Sequence, residues 1–117
     1  MTDKSPMVVA VIGNRNRANN SAVTSALRQA RDKRLICCLI AAIDHGDAEN
    51  VLRFAVASGI DAVMLADESR ILETLEAMQV LHNAGTMSVI GFHPDESGRR
   101  IIEQCRSASA VIWIPAP

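Results

Sequence analysis

The sequence predicts an α/β protein in which one parallel β-sheet carries helices on both of its faces. Short, continuous apolar runs indicate strands that are buried on both sides. Between them lie longer segments whose apolar residues recur every three or four positions, as in amphipathic helices. Glycine, asparagine, aspartate or proline bounds most of the segments, and no repeat or linker interrupts the series. With 117 residues, the chain is predicted to form a single domain over 1–117.

The first half of the chain supplies two strand–helix units. The run Met7–Ile12 ends at Gly13, and Asn20 or Ser21 is placed to cap the helix that follows. The second unit is a strand over 35–43 and a helix that Asp47 caps and Gly59 ends. The apolar stripes of the two helices are Val23, Ala26, Leu27 and Ala30, then Ala48, Val51, Leu52 and Ala55.

The second half continues the alternation. A third strand over 60–66 precedes a helix that Asp67 opens and that runs to about 83, and strands over 87–92 and 110–114 flank a last helix ending near Arg106. Right-handed crossovers then give a doubly wound sheet, for which the flavodoxin-like order 2-1-3-4-5 is expected. Ligands of such folds bind at the carboxyl ends of the strands, beside the first and third.

Composition excludes several classes of protein. No apolar run approaches the ~20 residues of a membrane span, and the N-terminus lacks a signal-peptide pattern. The three cysteines form no CxxC motif, and Cys37 and Cys38 would point to opposite faces of a strand. We therefore expect buried thiols, a reducing cytoplasmic setting and no membrane partner.

The loop after the first strand is the predicted site. It carries Asn14, Arg15 and Arg17 but no glycine beyond Gly13, so it lacks the phosphate-binding patterns of nucleotide folds. Hence no flavin, NAD or other cofactor is expected. The arginines could still hold a small anion bidentately, or pair across the sheet edge with Asp67 and Glu68.

Charge is unevenly distributed along the chain. Residues 1–34 hold seven basic and two acidic residues, a net +5, whereas residues 35–117 carry a net −6. This polarity favours an acidic partner or a second copy of the chain. Nucleic acid is disfavoured because no aromatic residue interleaves with the basic cluster.

A fifth helix would normally follow the last strand of such a sheet, yet only three residues follow Ile114. We therefore expect an uncovered apolar face that includes Trp113 and Ile114. Such a patch is commonly an interaction site, so a homodimer, another protein or the remainder of a longer chain should cover it.

The segment "GIDAVMLADESRILETLEAMQVLHNAGTMSVIGFHPDESGRRIIEQCRSASAVIWIPAP" resembles the third to fifth strands of response-regulator receivers. The resemblance places Asp67, or Ala66 in the neighbouring register, at the phospho-accepting aspartate. Gly13 and Asn14 stand where the magnesium-binding acid pair belongs, Phe92 or His93 at the switch Ser/Thr, and Ile114 at the lysine. It therefore implies an atypical receiver that cannot be phosphorylated and acts through protein contacts.

Two further resemblances remain open. "DHGDAENVLRFAVASGIDAVMLA" and "LHNAGTMSVIGFHPD" resemble one lobe of periplasmic-binding or LacI-type proteins, which implies a small-ligand site. "DAVMLADESRILETLEAMQVLHNAGTMSVIGFHPDESGRRIIEQC" is similar to the second half of PIN-like NYN nucleases, with Glu68 at a metal-binding acid and Arg70 where another acid belongs. Asp44 and Asn50 could substitute for earlier acids, and Asn14 stands where an aspartate is expected.

The histidines are expected to be turn or cap residues facing solvent. No two have the i, i+4 spacing of a metal site, and no serine lies in a nucleophile elbow. His93 alone follows a strand at the sheet edge that holds Asp67. The sequence therefore supplies no catalytic residue and no metal ligand set. The predicted binding residues are Asn14, Arg15, Arg17, Asp44, Asp67, Glu68 and His93.

Overall fold

The computed structural model of the chain describes residues 6–16 and 18–115. In this part of the chain, five strands alternate with four helices, as the hydrophobic pattern predicts. A single 3-10 turn over Glu68–Arg70 precedes the third helix. The elements are β1 Met7–Ile12, α1 Asn20–Lys33, β2 Ile36–Ala42, α2 Ala48–Ser58, β3 Asp61–Leu65, α3 Ile71–Leu81, β4 Thr86–Gly91, α4 Glu96–Ser107 and β5 Val111–Trp113.

The sheet is parallel throughout, but its order is 3-2-1-4-5. The predicted order 2-1-3-4-5 is therefore wrong, and β1 pairs with β2 and β4 rather than with β3. The hydrophobic pattern shows that crossovers exist but carries no information on whether the second crossover places β3 beyond β2 or back beside β1. The observed order also locates the expected binding crevice. Because the strand order reverses between β1 and β4, the crevice lies between the carboxyl ends of these two strands.

The helices form two layers, one on each face of the sheet. In β1, Val9 and Val11 pack with α1 and α2, while Val8, Ala10 and Ile12 pack with α3 and α4. All five side chains are 1% exposed or less, because β1 is central and covered on both sides. As the edge strand of the same sheet, β3 is only half-buried.

Within the described residues, one strip of the α1 face is uncovered. A groove of about 370 Å³ runs between the end of α1 and the first halves of β4 and β5. We call it the amino-edge groove because its walls include the first residues of β1, β4 and β5. Trp113 lines it, and Ile114, just beyond β5, is exposed.

Candidate functional site

Arg15 is the centre of a cluster of charges at the carboxyl ends of the strands. Its Nε donates to Asp44 Oδ2 at 3.1 Å, and its Nη2 donates to Glu68 Oε1 at 2.9 Å. Nη1 donates to Ser97 Oγ at 3.0 Å and lies 3.5 Å from Asp95 Oδ2. The hydrogen bond to Asp44 and the charge of Glu68 raise the Arg15 pKa further above its ordinary value. The guanidinium is therefore permanently charged and bonded on all three nitrogens.

The parallel sheet explains how distant parts of the sequence meet here. Arg15 follows β1, Asp44 follows β2, Glu68 follows β3 and Asp95 follows β4. In a parallel sheet the carboxyl ends of all strands lie at the same edge. We call these four residues, together with His45, the carboxyl-edge cluster.

His45 is buried in this cluster, so the expectation of a solvent-facing turn residue is wrong. The Gly13 N–H donates to Nδ1 at 3.1 Å, and Nε2 lies 2.7 Å from Glu68 Oε2. Since a backbone N–H can only donate, Nδ1 accepts, and the neutral ring donates its Nε2–H to the carboxylate. Both ring nitrogens are therefore occupied, which leaves neither free to act as a base or a metal ligand.

Asp47 also differs from its predicted role. It stands at the start of α2, but its side chain makes no capping bond there. The buried carboxylate instead accepts from Asn19 N at 2.5 Å and from Asn19 Nδ2 at 3.1 Å, at the start of α1. A Cβ on Gly13 would lie 2.5 Å from Asp47 Oδ2. Gly13 is thus required for the close approach of a carboxylate, at the helix terminus where nucleotide folds bind phosphate.

Asn14 and His93 meet across the crevice between β1 and β4. Asn14 Nδ2 donates to the His93 carbonyl at 3.2 Å, and its Oδ1 accepts from Asn16 N at 2.8 Å. His93 is exposed and has a φ of 45°, a left-handed conformation that is uncommon outside glycine. The amide therefore bridges the two strand ends. Arg17, the other predicted arginine, lies outside the described residues.

Asp67 caps the 3-10 turn before α3 and is not bonded to Arg15. Its Oδ1 accepts from Ser69 N at 2.8 Å and from the Ser69 hydroxyl. These two bonds, followed by weaker contributions from the charges of Arg70 and Arg15, lower the Asp67 pKa below its ordinary value. The loop after β1 therefore pairs with Glu68, as expected, but reaches Asp67 only through its charge.

No group of three His, Cys, Asp or Glu side chains within residues 6–16 and 18–115 is arranged to hold a metal ion. No helix in this part of the chain is long and apolar enough to cross a membrane.

The sequence predicts that Asn14, Arg15, Asp44 and Glu68 lie at one edge of the sheet, but it does not predict that His45 and Asp95 join the carboxyl-edge cluster or that Asp47 binds Asn19 beside it. Asp95 follows β4 in a predicted turn, and the position of Asp47 at the start of a helix suggests a cap. The one available signal is positional, because all three residues follow a predicted strand closely.

Comparison with known proteins finds no match for this chain among protein-family models, curated proteins or solved structures.

Proposed function

We propose that this chain is a non-catalytic regulatory or scaffolding module that acts through contacts with other protein surfaces. The observation that carries the proposal is the Arg15 guanidinium, which occupies the centre of Asp44, Glu68 and Asp95. A catalytic divalent ion would need those carboxylates as its own ligands. Arginine neutralises them without offering a reactive group.

The buried histidine supports the same conclusion. A general base must present a free nitrogen to its substrate, and both nitrogens of His45 are bonded within the cluster. Glu68, the acid that a nuclease would use, is buried between His45 and Arg15. The hydrolase alternative thus has little support in the geometry.

A small-anion site is the second alternative, and the local charges oppose it. Arg15 already contacts three carboxylates. Asp47 already accepts hydrogen bonds from the backbone N–H and from the side-chain amide of Asn19. An incoming anion would have to displace these carboxylates. It would also enter a region whose other titratable side chains are mostly acidic, at a Coulombic cost.

The receiver resemblance remains part of the proposal only at the level of a degenerate module. In a receiver, the acid pair after the first strand and the phospho-acceptor after the third strand would lie on neighbouring strands. In this chain, β2 separates β1 from β3. Asp67 therefore stands one strand further away than a receiver would place it.

Thermal unfolding tests the proposal. We expect the transition temperature to stay unchanged when Mg²⁺, Mn²⁺, inorganic phosphate or acetyl phosphate is added at about 10 mM, since a ligand of the folded state stabilises it by RT ln(1 + [L]/Kd). The matched control is Arg15→Gln, which removes the charge but keeps a polar side chain. A rise in the transition temperature of the wild-type protein that Glu68→Gln abolishes would overturn the proposal.

A further inference from the structure

The amino-edge groove combines an apolar floor with cations that form no ion pair with any described residue. Met7, Val9, Ala30 and Trp113 contribute apolar surface, and Lys33 and Arg34 lie at the end of α1 beside them. The Arg34 guanidinium donates to the Thr86 hydroxyl, a neutral partner.

No described carboxylate neutralises the cations of the groove. Within residues 6–16 and 18–115, none lines the groove and none lies within ion-pair distance of Lys33 or Arg34. A partially desolvated arginine gains most from a carboxylate that it binds with two parallel hydrogen bonds. The occupant that fits is therefore an apolar surface flanked by acids.

The outer face of α3 has this chemistry. Val80 and Leu81 are 81% and 72% exposed at the end of the helix. Glu73 and Glu76 lie on the same side of the helix, since residues three, four and seven apart are neighbours on its surface. Glu73 is paired with Arg70 at 3.4 Å, whereas Glu76 is exposed and has no ion pair among the described residues. We propose that the amino-edge groove binds α3 of a second copy of this chain, a proposal that rests on the proposed role in protein contacts.

The positions of the two surfaces permit a closed dimer. The groove opens at the amino edge on the α1 face, and α3 ends at the same edge on the opposite face. The bond from Gly85 N to Pro6 O places the turn after α3 beside the start of β1. A two-fold axis at this edge would bring each helix to the groove of the other copy, so that the same contact forms twice.

A competing apolar stripe lies on α2, where Leu52 and Val56 are exposed. Its acid Glu49 is already paired with Arg53 at 2.5 Å. Within the described residues, that stripe therefore offers Lys33 and Arg34 no acid without an ion pair, whereas α3 offers Glu76.

Sedimentation equilibrium on the full chain tests the proposal with a charge swap. We expect a concentration-dependent dimer, and we expect Arg34→Glu and Glu76→Arg each to raise its dissociation constant at least about ten-fold. An equimolar mixture of the two variants should restore the dimer, because each groove then faces a helix of opposite charge. Lys33→Glu repeats the test at an exposed position with no bonded partner, in case the loss of the Thr86 bond unfolds Arg34→Glu. Glu103→Arg on the outer face of α4 is the control and should leave the dimer unchanged.

Three results would overturn the proposal: a monomer up to about 200 µM, a dimer that none of the groove or α3 variants weakens, or a mixture that remains monomeric. None of them touches the proposed function, which a metal- or phosphate-dependent transition temperature would contradict separately.

Discussion

The arginines at the two ends of the sheet differ in their bonding partners. At the carboxyl edge, Arg15 contacts Asp44, Glu68 and Asp95, and its cluster buries a fully bonded histidine. At the amino edge, Arg34 contacts a threonine hydroxyl beside an open apolar groove. The first arrangement is internally saturated and the second is not. The comparison leads us to propose that the conspicuous polar loop is structural and that binding takes place at the other end of the same strands.

The largest effect on stability should come from His45. We expect His45→Leu to lower the free energy of unfolding by about 2–4 kcal/mol, because the Gly13 N–H and the buried Glu68 carboxylate each lose their hydrogen bond to the imidazole ring. Urea unfolding followed by circular dichroism measures the change. His82→Leu at a half-buried helix end is the matched control and should change stability by less than about 0.5 kcal/mol. Equal losses at the two positions would contradict a saturated cluster.

Gly13→Ala should cause the next largest loss of stability. Its Cβ would overlap Asp47 Oδ2, and relieving such a clash typically costs about 1–3 kcal/mol. A double-mutant cycle with Asp47→Ala, measured by the same urea unfolding, isolates this contact. We expect the double variant to lose less stability than the sum of the single variants. Strict additivity would mean that Gly13 is required for another reason.

Asp95 should give a smaller, pH-dependent effect. Its bond from Gly98 N, its bond from the Ser97 hydroxyl and the charge of Arg15 all lower its pKa. A carboxyl whose pKa is lower in the folded state stabilises it fully above the unfolded value of about 4, and this contribution is lost as the pH falls through the folded value. We expect Asp95→Ala to cost about 1 kcal/mol at pH 7, mainly as a lost helix cap. The gap to the wild type should shrink in urea titrations below about pH 4, and a gap that widens there would refute the assignment.

The smallest effect concerns the thiols. Burial raises the pKa of Cys38 and of Cys105 to about 11, and it also raises the pKa of the half-buried Cys37. A thiol reacts as its thiolate, so we expect Ellman's reagent at about pH 7.5 to label none of the three rapidly until urea is added. Rapid labelling of Cys38 or Cys105 in the native protein would show that the sheet opens more readily than its packing indicates.

Much of this architecture could be predicted from hydrophobic periodicity, because burial on two faces gives β1 and β2 their continuous apolar runs. The element order follows from that pattern. The strand order does not, since the same runs and connections fit either position of β3. Sequence reasoning also misses a residue's role where that role depends on a contact between segments that are distant in the chain. Asp47 has the sequence context of a helix cap, and only the neighbouring start of α1 makes it a partner of Asn19.

The central claim is that the groove, and not the carboxyl edge, is the binding surface, and the emission of Trp113 tests it most directly. This residue is the only tryptophan of the chain, and it lines the groove. Dilution from about 200 to about 1 µM should shift its emission to longer wavelength as the groove is vacated, since dissociation follows mass action. Mg²⁺ and phosphate should leave the emission unchanged. Emission that is independent of concentration but responds to those ions would contradict the account.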